Sequence, residues 1–166
     1  MLTILLLPAL ILTAAPSSIP NAVEVRPGVL VLRGAPDPGT CATLKQAHIT
    51  HVIDLRRDTE PNLNCQAEAS HLQDLGIQYI RYAISRTPPP GDFDFLHQLL
   101  RDLPRGSRVL LHCDDGNRAA AVACTLLVLD HGLPVEQAMA IAHQAGLKFP
   151  ETEAAVRKYL CAKGRG

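Results

Sequence analysis

Residues 110–120 read LLHCDDGNRAA. An apolar run ends in Cys113, Gly116 and Arg118 follow within five residues, and an alanine-rich stretch able to start a helix comes next. A strand that stops at a cysteine and enters a helix through a glycine builds a loop whose backbone amides turn inward. Amides gathered at a helix N-terminus favour negative charge, so they stabilise a thiolate and would cradle a phosphoryl dianion for the same reason. Arg118 adds a planar fork that holds two oxygens of one oxyanion at once. The stretch therefore predicts phosphoryl transfer to Cys113, giving a cysteinyl-phosphate that water hydrolyses. Asp114 and Asp115 complicate this reading. Like charges about 4 Å apart repel by about 4 kcal/mol at an effective dielectric of about 20. Either these side chains point outward, or one of them keeps its proton and serves as general acid beside the leaving oxygen.

The surrounding chain supplies the frame for such a loop. Val29 to Leu32 reads as a short strand, and Pro38 to Ala47 as a helix opened by Asp37-Pro38. Thr50 to Leu55 is a buried-type strand, a helix runs from about Leu63 to Leu75, and Ile77 to Ile84 alternates like a strand. SRTPPPGD cannot continue either element, and Asp92 is the expected N-cap of the helix that follows. Arg108 to His112 is a further strand, residues 118–130 form a helix apolar nearly all round, and 134–145 and 151–162 give two more helices. The alternation predicts an α/β fold with a central, mostly parallel sheet of four to five strands flanked by helices. Ligands in such folds bind beyond the carboxyl ends of the strands, where both Cys113 and Asp54 fall. The candidate substrate-binding residues are Asp54, His112, Gly116, Asn117 and Arg118. Cys113, Arg118, Asp114, Asp115 and Asp92 are the candidate catalytic residues, with no metal and no cofactor expected.

The chain carries 16 basic and 16 acidic residues and no Trp, which disfavours a nucleic-acid partner. Leu2 to Ala15 is an uncharged apolar run, too short for an ordinary membrane span and suited to the core of a secretory signal. Residues 1–15 are therefore expected to be a signal peptide, 16–22 a linker and 23–166 one domain. That places the protein in the periplasm or outside the cell, with no stable membrane span after cleavage, or anchored if the segment stays uncleaved. An oxidising compartment permits disulfides among Cys41, Cys65, Cys124 and Cys161. Cys41 and Cys65 could pair, while Cys124 lies in an apolar stretch and suits a core.

Residues 25–146 resemble the dual-specificity-like protein tyrosine phosphatases, in particular the small bacterial branch with a compact cysteine loop. The resemblance lies in VRPGVLVLRGAPDPGTCATLKQAHITHVIDLR, in Glu68 followed by LGIQYIRYAI, and in VLLHCDDGNRAAA. It implies Cys113 as nucleophile, Arg118 as phosphate ligand, Gly116 as loop glycine and His112 as a group that helps set the thiolate environment. It also implies a metal-free phosphatase of phosphoproteins or small phosphate esters. Three features depart from the family pattern. Four residues, not five, separate Cys113 from Arg118, as in the compact branch and in rhodaneses. Ala119 replaces the Ser or Thr that usually follows the arginine. No aspartate lies about 30 residues before the cysteine, Asp92 and Asp94 being the nearest carboxylates. The rival readings are a rhodanese-like sulfurtransferase, since VIDLRRDTE resembles a rhodanese strand, and a phosphate-binding pseudophosphatase with little turnover.

Overall fold

One mixed sheet carries the site at the carboxyl end of an interior strand. The computed structural model describes residues 15–16, 18–61 and 63–165. The strands are β1 (Ala15–Pro16), β2 (Ala22–Arg26), β3 (Val29–Leu32), β4 (His51–Asp54), β5 (Gln78–Arg81) and β6 (Val109–His112). The helices are α1 (Pro38–Gln46), α2 (Cys65–Asp74), α3 (Pro90–Asp102), α4 (Asn117–Leu129), α5 (Val135–Ala145) and α6 (Pro150–Ala162). Strand order is β1-β2-β3-β6-β4-β5; β3, β6, β4 and β5 run parallel, and β1 and β2 extend the sheet antiparallel. Six strands among the described residues exceed the four to five expected. The addition is the antiparallel edge, where Ala15 and Pro16 pair with Glu24 and Val23, and Val23 with Val31. The stretch expected to be a linker places Ile19 and Ala22 in the core. The segment before Ala15 lies outside the described residues, among which no helix is long and apolar enough to cross a membrane.

Register places the chemistry. Leu32 and Asp54 both pair with His112, and Asp54 pairs with Arg81, so the four parallel strands end level. Side chains alternate between the two faces. Val31, Ile53, Leu111 and Cys113 join the larger core under α3 to α6, whereas Leu30, Val52 and Leu110 join the smaller one under α1 and α2. The α4 helix is buried from Asn117 to Val128, which fits its nearly uniform apolar composition.

Helix starts follow local chemistry. Asp37 caps α1 by accepting the Thr40 amide at 2.6 Å, with Pro38 at the first helical position. Asn64 caps α2 through the Ala67 amide, so that helix begins at Cys65 and not Leu63. Asp92 is not an N-cap. Pro90, which needs no amide partner and has φ pre-set for a helix, starts α3 two residues earlier and leaves Asp92 in the first turn.

Candidate active site

The loop from Cys113 to Gly116 joins β6 to α4. Gly116 sits at the α4 N-cap with φ 86°, in the left-handed region, and a Cβ there would lie 2.9 Å from Arg33 Cγ and 3.2 Å from the Ala145 carbonyl. Gly146 (φ 122°) packs against the Gly116 backbone, so both glycines are required for the α5–α6 turn to close on the loop. Cys113 is fully buried, and its Sγ accepts the Gly116 amide at 3.2 Å. Burial pushes the thiol up, against the opposing amides of Ala119 and Asp115 and the charge of Arg118.

Arg118 is 2% exposed, and its guanidinium is gripped from several sides. Glu60 takes Nη1 and Nη2 at 2.5 and 2.8 Å, the Leu55 and Ile84 carbonyls accept from Nη1 at 3.2 and 3.1 Å, and Asp114 Oδ1 accepts from Nη2 at 2.6 Å. Its buried Nε–H has no hydrogen-bond partner among the described residues. An orphaned donor of this kind costs energy until an acceptor arrives. Glu60 thus fixes the far edge of the guanidinium, and Asp114 competes for the edge that an oxyanion would use.

The two loop aspartates differ in setting. Asp114 is the more exposed of the pair, with Arg86 4.0 Å away as well as Arg118. Asp115 accepts the Asn117 amide at 3.0 Å, meets Lys148 Nζ at 3.1 Å and accepts the Cys113 thiol at 3.6 Å. Partial burial raises its carboxyl, but the Asn117 amide and Lys148 outweigh that and hold it below its ordinary range. Neither aspartate simply points outward, and Asp115 does not keep a proton in the free protein: cations and amides supply what the repulsion estimate omitted.

Other expected residues lie elsewhere. Asn117 is buried, its Oδ1 accepting the Lys148 and Phe149 amides at 2.9 and 3.1 Å and its Nδ2 donating to Thr152 at 2.8 Å, so the side chain pins the α5–α6 turn to the loop. Asp54 and His112, on the α1/α2 face by the strand alternation, belong to a buried network beneath the loop. Arg56 bonds both oxygens of Asp54 and also Glu68, Tyr79 donates to Asp54 at 2.6 Å, and His112 Nε2 lies 2.8 Å from Glu68 Oε1. Asp92 accepts the Tyr82 hydroxyl at 3.1 Å. All five cysteines are free thiols; Cys65 donates to Asp54 at 3.6 Å instead of pairing with Cys41.

Among the described residues, two groups bring metal-ligating atoms together: Asp54, Glu68 and His112, and Cys113, Asp114 and Asp115. In the first, Arg56 is ion-paired with both carboxylates; in the second, Arg118 pairs with Asp114 and Lys148 with Asp115. Resident cations oppose a further one in both places.

Most of the chain resembles solved structures. It matches a DUF442 protein of Shewanella putrefaciens CN-32 at 22% identity, over 89% of this chain and 92% of that one, with a TM-score of 0.72. TpbA of P. aeruginosa, in complex with pTyr, matches at 17% identity over 93% and 98%, also with a TM-score of 0.72. A human tyrosine phosphatase-like serine/threonine/tyrosine-interacting protein matches at 19% identity over 86% and 97%, with a TM-score of 0.68. This is a cysteine-phosphatase fold. No protein-family model matches the chain, and no curated protein does.

Within the cysteine-phosphatase fold, sequence reasoning missed Glu60, Arg86, Lys148 and the binding partners of Glu68. Glu60 sits 58 residues from Arg118 in a polar loop, and nothing in RDTEPN distinguishes it from a solvated carboxylate. Arg86 stacks on Phe149 at 4.4 Å to the ring centroid, a contact between segments 63 residues apart.

Proposed function

We propose that this protein is a cysteine-dependent phosphatase that hydrolyses phosphate monoesters, of the tyrosine or dual-specificity type and without a metal. The unpartnered, buried Nε–H of Arg118, held in a loop with a sulfur ringed by amides, carries this reading. A phosphoryl group seated there satisfies that donor and takes Nη2 from Asp114, while Glu60 keeps the guanidinium aligned. Cys113 attacks phosphorus in line, the ester oxygen leaves on the far side, and water then hydrolyses the cysteinyl-phosphate. Phosphorylated tyrosine side chains are a fitting substrate class, since a protein of the same fold is seen with pTyr. With the apolar segment of residues 1–15 as an export signal, the reaction would take place in the periplasm or outside the cell.

Asp114, set free when phosphate takes Arg118, is placed to protonate the leaving oxygen. Asp114→Asn should tighten inorganic phosphate binding about tenfold, because one negative charge leaves the mouth, read as a lower inhibition constant. The same substitution should slow phenyl phosphate far more than 4-nitrophenyl phosphate, whose leaving group needs no proton. Equal slowing of both esters would remove Asp114 from that role.

The function is tested by giving the purified protein 4-nitrophenyl phosphate and, separately, thiosulfate with cyanide, both under reductant. Phosphate release supports the proposal, and thiocyanate formation replaces it with sulfurtransfer. Phosphate binding without either reaction replaces it with a binding protein, the outcome that buried Ala119 beside the loop would favour.

A further inference from the structure

The Cys113 sulfur meets one polar side chain among the described residues, the carboxylate of Asp115 at 3.6 Å. Its remaining partners are amides, and the neighbouring Ala119 offers no hydroxyl. Asp115 is fixed where it stands: Asn117 N–H holds Oδ1 and Lys148 holds Oδ2. In-line displacement sends the leaving oxygen to the side of phosphorus opposite the attacking sulfur. A carboxylate anchored against the sulfur stands on the attacking side and cannot also reach the leaving oxygen. Asp114, more exposed and set between Arg118 and Arg86, is the carboxylate at the mouth. The geometry separates two aspartates that are indistinguishable in sequence.

We infer that Asp115 is the proton partner of Cys113, taking the thiol proton as sulfur attacks phosphorus and returning it as sulfur departs. This rests on the phosphatase reading. In the first step the S–H bond breaks and its proton passes to Asp115 Oδ1, the S–P bond forms, and the P–O ester bond breaks. The ester oxygen takes its proton from the carboxylic acid at the mouth. In the second step water attacks phosphorus and gives a proton to that mouth carboxylate. The S–P electron pair returns to sulfur, and Asp115 gives its proton back. Ester and water become alcohol and phosphate, with both aspartates and the thiol restored. The role that a hydroxyl at position 119 could fill, donating to the departing thiolate, falls to Asp115.

The charged groups facing this pair come from every segment packed around it. Lys148 lies on the α5–α6 turn, Arg118 on α4, and Arg33 packs against Gly116 from the segment after β3. Glu60 acts through Arg118 from the β4–α2 loop, and Asp114 and Arg86 meet at the mouth. With the thiol raised by burial and Asp115 lowered by its amide and lysine, the resting proton stays on sulfur. Asp115 therefore masks the nucleophile until phosphorus draws off its electrons.

Asp115→Asn tests this with two readouts of opposite sign. Alkylation of Cys113 by iodoacetamide, followed on the Cys113 peptide by mass spectrometry from about pH 5 to about pH 9, should be about tenfold faster in D115N at neutral pH, because the anion opposing the thiolate is gone. Phosphate release should fall at least about tenfold, with cysteinyl-phosphate accumulating in acid-quenched samples. Adding Ala119→Ser to D115N should drain that intermediate faster. Asp115→Glu, which keeps the charge, should leave alkylation near wild type. A loop merely loosened by the substitution would expose the buried sulfur and speed alkylation by the same factor at every pH, whereas removal of the opposing anion shifts the alkylation profile to lower pH, and unfolding would show as loss of near-ultraviolet circular dichroism. Alkylation no faster in natively folded D115N, or unchanged turnover, overturns the inference. Absence of phosphate release from wild type would refute the phosphatase reading, while the alkylation arm would still decide whether Asp115 holds the Cys113 proton.

Discussion

Cys113→Ser should lower phosphate release from 4-nitrophenyl phosphate by about 10⁵-fold or more while phosphate still binds. Removing a nucleophile from an enzyme that works through a covalent intermediate costs on the order of 10⁶ in kcat in a comparable case. Here the loss should be near that limit. Sulfur is buried with the Gly116 amide on it at 3.2 Å, so no other side chain can take its place over the phosphate. A serine hydroxyl is a far weaker acid than a thiol, and Asp115, held below its ordinary range, is too weak a base to activate it. Arg118 and its Glu60 clamp are untouched, so inorganic phosphate should bind C113S within a few-fold of wild type. The measurement is phosphate release beside isothermal titration with phosphate. Residual activity above about one per cent of wild type would place the nucleophile elsewhere.

That expectation depends on contacts only partly legible in the sequence. LLHCDDGNRAA revealed strand, loop and helix because a β-type apolar run, a left-handed glycine and a buried alanine-rich helix are all local signals. Cys113 and Arg118 could be named from it because their spacing along the loop brings them together regardless of the remaining fold. Asp54 was misjudged because strand ends alone do not reveal which face a side chain takes. Its register opposite His112 puts it on the side away from Cys113. Glu60 left no local trace, since it is a loop carboxylate whose partner lies 58 residues away. The aspartates were judged by their mutual repulsion, without Lys148, Arg86 and the Asn117 amide, which come from other elements or from the turn itself. Asp92 lost its capping role because Pro90 is a stronger local start signal than an aspartate two residues later.

Glu68→Gln should destabilise the fold by about 3 kcal/mol, the lower end of the cost of breaking a buried ion pair from one side. Glu68 is 8% exposed, bonds Arg56 and lies 2.8 Å from His112 Nε2. Gln keeps the shape and one acceptor but removes the charge, leaving Arg56 with Asp54 as its remaining buried anion among the described residues. For a domain of this size the loss corresponds to a fall of about 6–12 °C in Tm. Acid should aggravate it. Burial raises the Asp54 carboxyl, but Arg56, His112 and Tyr79 outweigh that and hold it far below its ordinary range. A depressed carboxylate stabilises the fold above its unfolded value of about 4, and that contribution drains away as pH falls below it. Wild type should hold its Tm from neutrality to about pH 5 and lose it steadily below about pH 4, with E68Q following in parallel from a lower start. His112 is covalently joined to Cys113, so the same loosening should reach the sulfur: KM for 4-nitrophenyl phosphate should rise in E68Q even at temperatures where it remains folded. Urea unfolding of both proteins at neutral pH measures the first effect. An E68Q protein as stable as wild type would mean that Asp54 alone satisfies Arg56, and that the network beneath the loop does not hold His112 in place.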